Sequence, residues 1–141
     1  MKKYLNISFA YALAAMIGGV FYREFTKYNG FHGITMLGKL HTHLFVLGMI
    51  IFMVVALFEV NLRITEIKLF RKFMIVYNLG LITTVVMMLV RGTIQVLQIP
   101  LEKSADSAIS GIAGIGHILL GAGIIMLITV LRKSAQNKVH S

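Results

Sequence analysis

Four apolar runs, each long enough to cross a bilayer, leave this chain almost no length for anything else. They fall at about residues 4–22, 34–58, 73–97 and 109–131 of 141. A hydrocarbon core of ~30 Å asks for about 20 apolar residues in a helix. Lipid supplies no hydrogen bonds, so the backbone must satisfy its own polar groups. The sequence therefore predicts an all-α integral membrane four-helix bundle, a single domain over residues 1–141. Only 13% of residues are charged, against about 25% in soluble domains. The first run follows Lys2 and Lys3 and contains Ala12-Leu13-Ala14-Ala15, a stretch like a signal-peptidase site. We read it as a retained span.

The formal charge of +9 invites a nucleic-acid reading, but the placement of the charges argues against one. Lys2, Lys3, Arg63, Lys68, Arg71, Lys72, Arg132, Lys133 and Lys138 all precede or follow the runs on one side. Arg23, Lys27, Lys39, Arg91 and Lys103 lie on or toward the other. The positive-inside rule then places both termini in the cytoplasm of a prokaryotic-type plasma membrane. The excess charge is a topology signal and a lipid contact, and the bilayer is the first partner. With no cysteine in the chain, disulfides, iron–sulfur clusters and thiolate zinc sites are excluded. No phosphate loop, Ser-His-Asp grouping or carboxylate dyad gives a hydrolase or NTPase a footing.

Ionisable residues inside the spans carry the functional information, because their cost in lipid makes each one a site hypothesis. His41 and His43 stand near the outer start of the second run, Arg91 near the outer end of the third, and His117 near the outer start of the fourth. At ~1.5 Å per residue, all four lie roughly 10–13 Å below the outer surface. Three helices thus contribute to one polar layer toward the outer leaflet, with Gln95 a turn above Arg91. Positions i and i+2 of a helix point about 200° apart, so His41 and His43 serve opposite sides of their helix. Neutral imidazole suits iron, copper and zinc. A haem would take axial imidazoles from this layer and a cation for its propionates from Arg91. Gly48, deeper in the run near the His41 side, leaves room for a ring. The glycines of the fourth run, Gly111, Gly114, Gly116, Gly121 and Gly123, read equally as helix packing or as space for a cofactor.

The run His41-Thr42-His43-Leu44-Phe45-Val46-Leu47-Gly48-Met49 resembles the His-x-His helix of the haem–copper oxidase catalytic subunit. In that family the two histidines serve two haems on opposite sides of one helix. The twelve spans of the family's subunit form three arcs of four, and this chain is similar to one arc with its His helix second. The resemblance implies a homotrimer in which His43 of one chain and His41 of the next hold each haem. The residues alone leave open a second arrangement, in which one of these histidines pairs with His117 inside one chain. The chain is also similar to a small family of uncharacterised four-span proteins. His32-Gly33-Ile34-Thr35-Met36 echoes the oxidase His-Gly-x-x-Met motif at the mouth of the span, and we read His32 as interfacial. The oxidase copper ligands have no counterpart set here.

The leading expectation is a haem-binding membrane protein with a b-type haem between two histidines. It would exchange single electrons with a redox partner, or sense redox state. His41, His43 and His117 are the candidate iron ligands, with Arg91 and Gly48 in the cofactor site. Two alternatives stay open: a copper or other metal-ion binder using these histidines and nearby methionines, and an accessory membrane subunit whose histidines only bridge helices. His140 receives no role.

Overall fold

Each apolar run closes its backbone hydrogen bonds within itself, and the result is four long helices with no strand among the described residues. The computed structural model describes residues 1–139, so His140 lies outside the described residues. The helices are α1 (Lys2–Tyr28), α2 (Leu37–Leu62), α3 (Lys68–Val96) and α4 (Lys103–Val139), and all four are long and apolar enough to cross a membrane. A short 3₁₀ turn, Ile64–Glu66, links α2 to α3.

The helices outrun the apolar stretches. α1 continues past Tyr22 to Tyr28, and α4 begins at Lys103, six residues ahead of its apolar run. The polar residues 132–139 beyond the fourth apolar run continue α4 as helix to Val139. An apolar run measures hydrocarbon thickness, whereas a helix persists wherever its turns stay bonded, through Lys, Ser, Gln and Asn at an interface.

α2 and α3 form the centre, with α1 packed on one side and α4 on the other. One buried cluster lies toward the chain termini and includes Phe52, Val55, Phe73, Tyr77, Leu81 and Val130. A second, at the opposite end, contains Ala15, Leu37, Leu40, Leu44, Met88 and Val96. Outside these clusters, Ile17, Val20, Leu57, Ile118 and Ile125 are all more than half exposed. An all-round apolar exterior is what lipid-facing helices require. Both chain ends lie at one end of the bundle, where the Tyr4 ring meets Phe70 edge-on at 5.5 Å and Lys138 Nζ reaches the carbonyl oxygen of Asn61 at 3.2 Å.

Close approach between α3 and α4 depends on glycine. A Cβ on Gly80 would stand 2.7 Å from the backbone nitrogen of Leu120, and one on Gly116 would stand 3.0 Å from that of Thr84. Small residues at such a crossing let two helices pack by direct van der Waals contact, the main attraction available in lipid. Gly18 and Gly19 do the same for α1, against Leu40 and His41 of α2.

α2 is not α-helical throughout. Leu44–Ile50 forms a π-helical segment directly after His43. Two of its carbonyls are engaged from neighbouring helices: Tyr77 Oη donates to Leu47 and Ser8 Oγ to Met49, both at 2.8 Å. π segments are rare and recur at functional sites, and here one lies immediately below a histidine.

A histidine pair between α2 and α4

His43 and His117 come from different helices and face one another. Their ring centroids are 6.5 Å apart, with the planes at 82°. On each helix the Nδ1–H donates to the carbonyl four residues earlier: His43 to Lys39 at 2.9 Å, and His117 to Ala113 at 2.8 Å. In a neutral ring, donation from Nδ1 selects the tautomer whose Nε2 carries the lone pair. A hydrogen bond from the other ring nitrogen is the usual way proteins orient a metal-binding imidazole. Both rings are therefore prepared as Nε2 ligands by their own helices.

The separation admits a shared metal. Imidazoles bound through Nε2 on opposite sides of one metal, at about 2.0–2.1 Å each, have centroids about 6 Å apart. Space is available beside the pair as well. Gly114 and Gly121 stand three residues before and four after His117, and a Cβ on either would meet nothing within 4 Å. Among the described residues, no group of three or more His, Cys, Asp or Glu side chains gathers as a metal site.

His41 lies on the other side of α2, as the ~200° offset requires. Its Cβ and ring carbons stand 3.7–3.9 Å from the position of a Cβ on Gly19. Its Nδ1 is buried without a hydrogen-bond partner. His32 is exposed in the loop between α1 and α2. That loop is fastened to α3, with Thr35 Oγ1 donating to the Gly92 carbonyl at 2.9 Å and the Met36 amide to Gln95 Oε1 at 2.8 Å.

Arg91 has an anionic partner within the chain. Its Nη2 donates to Asp106 Oδ1 at 2.8 Å and to Ser110 Oγ at 2.7 Å, both in the first turns of α4. The guanidinium is thus tied to α4 two turns above His117, about 10 Å along the axis. The gap at Gly48 does admit a ring, but it is that of Tyr11: a Cβ there would fall 2.6 Å from Tyr11 Cγ. Tyr11 in turn donates to Asn78 Oδ1 at 2.7 Å. Gly48 therefore belongs to the packing of α1 on α2.

The sequence singled out both members of the pair and left open that one of the α2 histidines pairs with His117, without deciding which one. It missed Asp106 as the partner of Arg91, although the acidic character of residues 102–106 opposite that cation was a usable signal. No pattern announced the π segment or its braces from Ser8 and Tyr77.

No curated protein matches the chain, and no solved structure matches it. The resemblance to the oxidase helix thus rests on the residues of α2 alone. A family model does match, over residues 1–134, described as "Protein of unknown function (DUF2871)". The match covers nearly the whole chain, and the chain belongs to this family.

Proposed function

We propose that this protein binds a haem between α2 and α4, which His43 and His117 would hold, and works in membrane electron transfer or redox sensing. The observation that carries the reading is the pair itself: two imidazoles 6.5 Å apart, each with Nδ1 anchored and Nε2 left to coordinate. The donor set favours a macrocycle over a bare ion. Two nitrogens are half of a tetrahedral shell, whereas a porphyrin brings four donors and asks the protein for two.

When bound, a bis-histidine haem supplies reversible one-electron chemistry at iron. The chain's residues do the rest. Lys39 and Ala113 carbonyls hold the two rings in one tautomer. The π segment and its braces set the phase of His43 on α2. Open flanks at Gly114 and Gly121 leave room for a flat group beside His117. Arg91, partly engaged by Asp106, offers positive charge toward the mouth. Because both ligands come from one chain, a three-fold assembly is not needed to complete the pair. Nine of the fourteen Lys and Arg lie at the end carrying the termini, which supports a cytoplasmic position for that end and an outer-leaflet position for the histidines.

Absorption spectra of the purified protein, oxidised and then dithionite-reduced, test this directly. A Soret band and a sharp reduced band are expected, with both lost in His43→Ala and His117→Ala and kept in His41→Ala. Wild-type protein that takes up no haem on reconstitution refutes the proposal, as does copper found without porphyrin.

A further inference from the structure

At the opposite end of the bundle from Arg91, α2, the following turn and α4 enclose a cleft of about 670 Å³. Its walls are Asn61 and Arg63 at the end of α2, Glu66 and Ile67 in the turn, and Ser134 and Asn137 on α4. The cleft exists because α4 continues past its apolar run to Val139. Lys138 braces it, its Nζ 3.2 Å from the Asn61 carbonyl oxygen across the gap.

Two features of this cleft go unused by the fold. Ser134 is only 3% exposed, yet its Oγ has no hydrogen-bond partner. Serine in a helix ordinarily donates to the carbonyl one turn back, and a buried hydroxyl without any partner is costly. Arg63 closes α2 in the left-handed conformation (φ 47°). Its guanidinium is only loosely matched to Glu66, at 3.9 Å with both side chains mostly exposed. The other carboxylate at this end, Glu59, is already occupied, accepting from the Thr65 amide and hydroxyl at 3.0 and 2.7 Å. Nine Lys and Arg thus surround two carboxylates at this end of the chain.

We infer that the cleft is a binding site for a phosphate group, held by the Arg63 guanidinium, the Ser134 hydroxyl and the Asn137 amide. Arginine matches phosphate oxygens geometrically and by charge. Hydroxyl and amide donors complete the recognition, and a basic juxtamembrane surface concentrates anionic ligands. The phosphate belongs either to an anionic lipid headgroup or to a free anion. The cleft is independent of the histidine pair, and loss of haem leaves it intact.

The full chain, purified in detergent, would be followed by thermal unfolding and native mass spectrometry. It would be titrated with phosphatidylglycerol, with phosphatidylcholine and with inorganic phosphate. Stabilisation and retained adducts with phosphatidylglycerol but not phosphatidylcholine identify a lipid headgroup; the same response to inorganic phosphate identifies a free anion. Either response should weaken about tenfold in Arg63→Gln, the loss of one charge-assisted hydrogen bond. Ser134→Ala should weaken it less, and Lys103→Gln, at the opposite end of the bundle, should leave it unchanged. No response to either phosphate compound, or equal responses in wild type and both cleft variants, overturns the inference.

Discussion

The two faces of α4 use the same residue type for opposite purposes. Gly116 and Gly123 face α3, where Thr84 and Tyr77 occupy the positions a side chain would need. Gly111, Gly114 and Gly121 face outward and touch nothing within 4 Å, with His117 among them. On the first face, absence of a side chain is spent on helix–helix contact. On the second it leaves open space around an ionisable ring that lipid alone would not satisfy. Glycine frequency therefore says little about a membrane helix until its neighbours are known.

Substitutions on the two faces should separate these roles sharply. The largest effect is expected from Gly80→Leu or Gly116→Leu, which drive side chains against the backbone of the facing helix. Overpacking costs about 1–3 kcal/mol when the core can yield, and backbone opposition allows little yielding. Such variants should lose the folded monodisperse species in size-exclusion chromatography; wild-type elution and melting would show that the close approach is dispensable. Next come His43→Ala and His117→Ala, which should abolish haem uptake while helicity by circular dichroism stays at the wild-type level. Loss of helicity together with haem would mean that the pair is structural.

A smaller effect is expected where α1 meets α3. Tyr11→Phe removes the donation to Asn78 while keeping the ring against Gly48, and should cost about 0.6–1 kcal/mol in a reversible unfolding assay. A loss several times larger would mark the Tyr11–Asn78 bond as part of a wider network. Smallest of all should be Gly114→Ala and Gly121→Ala. With open space around them, they change stability by at most about 1 kcal/mol, toward greater stability, because alanine is the better helix former. A clear loss of stability would place a neighbouring surface against that face.

Much of the fold was legible because hydrophobic length is a strong constraint in lipid. Four runs predicted four helices, and the structure has them. Their ends were less legible: Lys103 to Ser110 and Arg132 to Val139 are polar yet helical, since hydropathy reports the solvent and not the backbone. Within the candidate site, His43 and His117 could be named from their cost in the membrane and their shared depth. A pairing with His117 was open, but not the choice of His43 over His41, because depth along a helix follows from residue count while azimuth around the bundle depends on packing. Gly48 shows the limit most plainly. Its missing side chain was visible in the sequence, but the ring that fills the gap comes from Tyr11, 37 residues away in the chain.

The sequence by itself determined the class of molecule, the number of spans and the asymmetry of positive charge. Each follows from one-dimensional quantities: the length of apolar runs, the count of charges at their ends and the rise per residue. Only the tertiary structure decided which residues share a site. It gave His117 to His43 and placed His41 against α1. It tied Arg91 to Asp106 and set a π segment beneath His43 with Ser8 and Tyr77 as braces. These are contacts between helices, fixed by how glycine gaps and bulky rings fit together in three dimensions.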